Sequence, residues 1–451
     1  MERTLILECN EKIGEKVKIC GWVQVRRDHG KIGFLDISDR SGIIQVVLTP
    51  GVSTNGSTKV HPRGGIEGLH PQDVVCIAGK VNKRPENLVN KNIPTGAIEI
   101  SADEIEILSK AAELPFDMGG KDLDLQLPTL LDFRALTLRH PKVKAIFKVQ
   151  AKILEGFRTA ASDLGCTEIV VPTIVAGATE GGAEVFKIDY FEHKAYLSQS
   201  PQLYKQMLVP IYERVFTIAK AYRAEPSVTT RHLTEATQLD IEVGFIEFED
   251  LLNFLEEVAV KMLKTAQEQC GDILSEFGVD KVTFGKIPRF TLREAQEVIF
   301  KQYGRDNRKE KDLTPQDEVD ICAWVLKEHQ SDLVTITHFP TKAKPFYTKP
   351  DPKDPEYSLS YDLLFRGVEI LSGSQRINDY DQLVKSMEDH GVNPENFEMY
   401  LQAFKYGMSP EGGFSFGLER VTMHLLKLAN VREASLFPRD MERVDVRLSK
   451  K

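Results

Sequence analysis

The stretch that decides the fold runs from Arg214 to Phe245 and reads RVFTIAKAYRAEPSVTTRHLTEATQLDIEVGF. Two runs of strand character, RVFTIAKAYRAE and TQLDIEVGF, flank a charged loop, PSVTTRHLTEA, a pattern that predicts two antiparallel strands. Side chains alternate across a strand, so Arg223 and Glu225 share one face of the first, and Gln238, Asp240 and Glu242 one face of the second. A polar floor follows. Guanidinium groups at Arg223 and Arg231 can hold phosphate oxygens through paired N–H bonds, and Asp240 can accept from an ammonium group. A sheet face open to water, its charges pairing among themselves, would carry the same residues.

Downstream, DLLFRGVEILSGSQR (362–376) predicts a hairpin that turns at Arg366-Gly367 and sets Leu364 opposite Glu369. Asp362 then shares a face with Glu369, and two converging carboxylates with the Ser372 hydroxyl suit magnesium, which prefers hard oxygen ligands. Two solvated acids on an edge hairpin are the plainer alternative. Further on, GGFSFGLERVTMHLL (412–426) is a glycine-rich strand running into a helix, with Arg420 at the junction, able to face a triphosphate. A strand kinked for packing explains it equally well. Upstream, QSPQLYKQ (199–206) offers Gln202 and Lys205 after ATEGGAE (178–184), whose Gly181-Gly182 pair can flex over a pocket. A pocket lysine needs an anionic partner, whereas a surface lysine needs none.

The N-terminal quarter is different in kind. From Lys16 to about Ile107 it holds short strand-like runs, VKICGWV, KIGFLDIS and IIQVVL, with a polar turn at Asp39–Gly42 and a Gly/Ser/Pro-rich loop from Ser53 to Gly68. About five strands fit a Greek-key barrel such as the OB-fold. Between Ala111 and Leu138 the periodicity fades among Pro115, Gly119, Gly120 and Pro128, as in a linker. A long amphipathic helix ending at Gly165 and a strand Ile169–Val171 come next, and later helices are expected around 249–269 and 292–303. Strand pairs alternate with helices without a regular βαβ repeat, which favours an antiparallel sheet. The expected domains are 1–110, a barrel; 111–138, a linker; and 139–451, a larger α+β domain.

Composition limits the function classes. The chain has 451 residues and a net charge of -9, so it exerts no global attraction on a polyanion, and nucleic acid must be held by local patches. Six scattered cysteines, Cys9, Cys20, Cys76, Cys166, Cys270 and Cys322, show no zinc or disulfide spacing and read as reduced thiols. Absence of an apolar leader or a membrane-length apolar run leads us to expect a cytoplasmic protein with no membrane partner.

In this order the pieces resemble the class II aminoacyl-tRNA synthetases. The helix, strand and Pro172 resemble motif 1, part of that family's dimer interface; Arg223 and Glu225 with Arg231 to Glu235 resemble motif 2; Gly417-Leu418-Glu419-Arg420 resembles motif 3. QSPQLYKQ, the ATEGG loop, RHLTEATQLDIE and LFPRD resemble the aspartyl members in particular. The lack of a large insertion between motifs 2 and 3 is similar to archaeal members, although RPENLVNKNIPTG looks more bacterial.

The resemblance implies an α+β fold, an N-terminal OB-fold barrel followed by an antiparallel-sheet catalytic domain with flanking helices. It also implies a homodimer that joins L-aspartate to tRNA(Asp) using ATP and Mg2+. Some short members also charge tRNA(Asn), a difference lying in the barrel near Gln24, and both outcomes stay open here. By the same resemblance Lys205 and Arg376 bind the aspartate side-chain carboxylate, Gln202 and Asp240 its amino group, with Glu180, Gln199, Ser200 and Ser372 beside them. Arg223 would hold the α-phosphate and Arg420 the γ-phosphate, with Glu225, Arg231, His232, Leu233, Glu369 and Gly417 around ATP, and Asp362, Glu369 and Ser372 on the metal. Phe34 would stack on an anticodon base that Gln45 and Glu99 hydrogen-bond, while Arg26, Arg27 and Lys31 meet phosphates. A core position is the competing reading of Phe34. Motif 3 departs from its relatives at Ser415, where glycine is usual, which implies altered packing of ATP. An enzyme making free asparagine on the same core would lack the barrel, and a non-catalytic relative would have lost the motif arginines or metal acids.

Overall fold

The computed structural model describes residues 1–29, 32–49, 52–54, 59–60, 66–177, 184–226 and 229–448. Glu180, Gly181, Gly182 and Lys31 lie outside the described residues. The chain forms two compact units, Met1–Leu125 and Gln126–Lys451.

In the first unit the strands β1 (Lys16–His29), β2 (Ile32–Ser38), β3 (Ile43–Leu48), β4 (Val74–Lys83) and β5 (Ile98–Ser109) run in the order β3-β2-β1-β4-β5. A parallel β3–β5 pairing, Val46 opposite Ile100, closes the barrel. Alternation sends Ile19, Val23, Leu35, Ile37, Ile44, Val46, Ile77 and Ile100 into one apolar core. Phe34, half-buried, alternates with them and lies on the outer face, so the core reading of Phe34 does not hold.

Cys20 and Cys76 correct the expectation of reduced thiols: they stand opposite each other on β1 and β4 and are disulfide-bonded. Strand register created that proximity, and the sequence separation of 56 hid it.

The second unit is built on an eight-stranded sheet. Its strands are β6 (Thr167–Glu168), β7 (Arg214–Tyr222), β8 (Glu235–Gly244), β9 (Arg289–Thr291), β10 (Leu333–Thr337), β11 (Ser360–Phe365), β12 (Val368–Gln375) and β13 (Glu411–Gly417), ordered β9-β10-β11-β12-β13-β8-β7-β6. The six central strands are antiparallel and only the edge pairs β9–β10 and β6–β7 are parallel. Helices α1 (Pro141–Asp163) and α3 (Phe248–Gln269) cover one face with a core of Val149, Phe157, Leu255, Met262, Phe414 and Phe416. The expected strand at Ile169–Val171 begins earlier, at Thr167: Ile169 still donates to Phe216 O, but Val170 is 97% exposed and meets no neighbouring strand.

The linker expected over 111–138 divides. Residues from Gln126 onward belong to the second unit, where Arg134 is buried and donates to the Glu433, Ser435 and Leu436 carbonyls.

Candidate active site

The site grows from the central strands. On β8, Asp240 and Glu242 face the same side, and both are fully buried, so the water-exposed alternative fails for them. Lys205, on α2 (Gln202–Tyr212), is 1% exposed. Its Nζ meets Asp240 Oδ1 at 2.8 Å and Glu242 Oε2 at 3.1 Å. Arg376, just past β12, gives its Nε to Glu242 Oε1 at 2.7 Å and its Nη2 to Glu242 Oε2 at 3.2 Å and Gln202 Oε1 at 3.3 Å. Glu242 therefore bridges two cations, a role absent from the sequence expectations. Room for it comes from Gly413 on the neighbouring β13, where a Cβ would fall 2.2 Å from Glu242 Oε2.

The charges tune one another. Burial raises the Glu242 carboxyl, but Arg376 and Lys205 overcome that and hold it below its ordinary value. Burial pushes Asp240 up against the pull of Lys205. Ser415 donates to Asp240 Oδ2 at 3.0 Å, so the departure in motif 3 ties down the carboxylate expected at the amino group. A neutral amino-acid side chain would not leave Lys205 and Arg376 unpaired, because Asp240 and Glu242 already compensate them.

The hairpin forms as expected. Arg366 and Gly367 both take positive φ, 49° and 88°, and Leu364 pairs with Glu369. A bulge at Ile370 then sets Asp362 opposite Ser372, so Glu369 and Ser372, three positions apart, come to the same side. Asp362 is buried, with its carboxyl pushed up by burial and by Glu369 and pulled down by Lys344, whose Nζ lies 3.4 Å away. The donor set of Glu369, Asp362 and Ser372 is all hard oxygen. Such a set would suit magnesium, which prefers hard oxygen ligands.

Two cavities open on this surface. One, about 280 Å3, is lined by Ser200, Gln202, Lys205, Asp240, Lys344 and Arg376. The other, about 200 Å3, is lined by Arg231, His232, Leu233, Glu369, Gly417 and Arg420. Arg223, Gln238, Ser372 and Ser415 line both, so the chambers meet at Arg223.

Arg223 is 45% exposed and its nearest carboxylate, Glu225, is 3.8 Å away. Arg420 donates to Glu369 O at 3.3 Å. His232 hydrogen-bonds Thr229, and burial and Arg420 lower its pKa, favouring the neutral ring. Arg231 pairs with Glu318 of α4 (Pro315–His329) at 3.1 Å. Glu318 and Lys344 escaped the sequence reading, since neither sits in a glycine-rich or strand motif and only tertiary folding brings them here.

In the barrel, Gln45 Nε2 donates to Glu99 Oε2 at 2.9 Å, and Arg27 reaches both Asp36 and Gln45. Phe34 stacks edge-on against His29 at 5.7 Å. Arg26 pairs with Asp28 at 2.7 Å, so the basic residues expected at phosphates are partly neutralised.

Residues 126–441 match the family model described as tRNA synthetases class II (D, K and N), and residues 17–108 match OB-fold nucleic acid binding domain. The chain belongs to the class II tRNA synthetases. This synthetase is 39% identical to the aspartate–tRNA(Asp/Asn) ligase of Aeropyrum pernix, over 96% of each chain. It is equally 39% identical to the aspartate–tRNA(Asp) ligase of Pyrococcus abyssi, again over 96% of each. Among solved structures, asparaginyl-tRNA synthetase from Pyrococcus horikoshii complexed with asparaginyl-adenylate aligns with a TM-score of 0.88 and 32% identity, covering 98% of this synthetase and 99% of that chain. Likeness thus reaches sequence relatives named for aspartate and a solved structure named for asparagine.

Proposed function

We infer that this synthetase is an aspartate–tRNA ligase that activates L-aspartate with ATP and passes it to tRNA(Asp). The observation that carries the reading is the pair of chambers meeting at Arg223, one floored by Lys205 and Arg376, the other ringed by Arg231, Glu369 and Arg420. Aspartate lies in the first with its side-chain carboxylate on Lys205 and Arg376 and its ammonium group on Asp240 and Gln202. ATP lies in the second, its α-phosphate on Arg223, its γ-phosphate on Arg420, with Glu225, His232, Leu233 and Gly417 around it.

The α-carboxylate, already ionised at neutral pH, attacks the α-phosphorus in line; pyrophosphate leaves and aspartyl-adenylate remains. No general base is required. Arg223 stabilises the charge that grows on the α-phosphate oxygens. Glu369, Asp362 and Ser372 would hold magnesium, which would supply neutralisation of the triphosphate. The 3′-terminal ribose hydroxyl of the tRNA then attacks the adenylate carbonyl and AMP leaves.

The remaining parts of the reading concern assembly. The protein acts in the cytoplasm as a homodimer joined through the motif 1 region, a reading supported by the exposed apolar side chain of Val170. Residues 111–125 serve as a hinge between domains. The outer barrel face at Phe34, Gln45 and Glu99 reads the anticodon. Relatives named for tRNA(Asp/Asn) and relatives named for tRNA(Asp) alone match to the same degree, which makes tRNA(Asn) a second candidate substrate.

Aspartate-dependent pyrophosphate exchange with wild type and Arg223→Gln tests the chemistry. A loss of about 100-fold or more is expected, the scale of removing one transition-state donor. Retained exchange refutes the assignment of Arg223. Charging of the two purified tRNAs decides the substrate set.

A further inference from the structure

Beneath Lys205 and Arg376 lies a third buried carboxyl group that the reaction scheme does not use. Glu411, the first residue of β13, has no exposed surface. Its Oε1 accepts from Gln206 Nε2 at 2.7 Å, and its backbone carbonyl accepts from Arg376 N at 2.9 Å. Its Oε2 is buried and, written as a carboxylate oxygen, has no donor among the described residues. The neighbour within hydrogen-bonding reach of the Glu411 carboxyl is Glu242, itself an acceptor for Lys205 and Arg376.

Two ionised carboxylates cannot hydrogen-bond each other, and a buried acceptor facing an anion is doubly unfavourable. One proton resolves both faults. Glu242 is bound by both cations, so the proton belongs on Glu411.

We propose that Glu411 is a neutral acid whose Oε2–H donates to Glu242, and that it is a positioning residue setting the charge beneath the amino-acid side chain. The floor then balances, Lys205 and Arg376 against Asp240 and Glu242. The substrate carboxylate is drawn by the directed N–H groups of the two cations, with no surplus anion below them. An ionised Glu411 would add that anion and weaken aspartate relative to asparagine.

Burial drives the Glu411 carboxyl well above the ordinary range, Glu242 pushes it further, and Gln206 and Arg376 oppose the shift. The charged and titratable groups facing it are Glu242 on β8, Arg376 after β12 and Tyr400, whose hydroxyl donates to Gln206 Oε1; behind them Lys205 on α2 pairs with Glu242, and Tyr347 acts on Arg376 and Tyr400. This inference rests on the reading of the first chamber as an aspartate site.

The test pairs spectroscopy with kinetics. In infrared difference spectra at neutral pH, wild type minus Glu411→Gln should contain a protonated-carboxyl C=O band. In pyrophosphate exchange, Glu411→Ala should raise the KM for aspartate about tenfold or more, with kcat changing less, because Glu242 loses its donor. Glu411→Gln, which keeps an N–H donor and no charge, should recover most of that loss. The aspartate-to-asparagine ratio of kcat/KM should fall with rising pH in wild type and stay level in Glu411→Gln.

Absence of the infrared band overturns the proposal. So does tighter aspartate binding by Glu411→Gln, about tenfold, as removal of a buried anion would give. If the alanine variant does not fold, the spectrum and the glutamine variant still decide. If wild type activates no aspartate while the band is present, the amino-acid assignment fails and the proton assignment stands.

Discussion

Lys205 carries two duties that pull on the same atom. Its ammonium group compensates Asp240 and Glu242 in a buried site, and in our reading it also meets the substrate. Lys205→Ala should therefore raise the aspartate KM and destabilise the fold by about 3–5 kcal/mol, the range for breaking a buried ion pair. Denaturant unfolding of wild type and variant checks the second effect; equal stability would mean that the two carboxylates are compensated elsewhere. Lys205 was legible as a pocket residue because QSPQLYKQ resembles a known motif. Its internal partners were less so: alternation put Asp240 and Glu242 on a common face, but only packing of α2 on β8 brought the lysine to them. Glu411, from a different strand, had no local signal at all.

His424, on the helix α5 (Leu418–Leu425) one turn beyond Arg420, is lowered from 6.5 to about 4, first by burial and then by Arg231 and Arg420. A depressed histidine contributes stability that is full above about 6.5 and is lost as the pH falls toward 4, since the unfolded chain then binds the proton first. The loss amounts to at most about 3 kcal/mol. Urea unfolding near the two ends of that window should show a steeper acid loss in wild type than in His424→Gln. Parallel curves would assign the acid sensitivity to other groups.

At the scale of elements, the hairpin β11–β12 was the part of the site most open to reading. RG between two apolar runs demands positive φ at both turn residues, and both have it. What the pattern could not supply was the bulge at Ile370, which decides whether Ser372 faces Glu369 or points away. Alternation alone would have put Ser372 on the other side. Gly367 has φ +88°, and a Cβ there would lie 3.1 Å from Val319 on α4. Gly367→Ala should cost about 1–2 kcal/mol and raise the magnesium concentration needed for half-maximal exchange, by shifting the strands that carry Asp362 and Glu369. A thermal melt together with a magnesium titration measures both; a stability loss with an unchanged titration would detach the turn from the metal residues.

At the scale of the molecule, a barrel followed by an antiparallel sheet with helices was readable from periodicity and turn residues. The disulfide was not, because pairing of Cys20 with Cys76 depends on register between distant strands. The division of labour predicts a separable phenotype. Phe34 sits on the outer face of a unit that folds around its own core, and the residues to which we assign adenylation belong to the other unit. Phe34→Ala should lower kcat/KM for tRNA about 5- to 150-fold, the worth of one base–aromatic stack, and leave pyrophosphate exchange as in wild type. Aminoacylation and exchange assays run side by side make the comparison, and parallel losses in both would place Phe34 in general folding.

The seam between the chambers bears on inhibition. Arg223, Gln238, Ser372 and Ser415 belong to both walls, so the two chambers, which we assign to the amino acid and the nucleotide, adjoin. A single compound joining aspartate to adenosine through an uncleavable bridge would gain contacts from both chambers while surrendering its freedom of movement only once. Affinity greater than that of either half alone is built into a pocket whose two rooms have one open doorway.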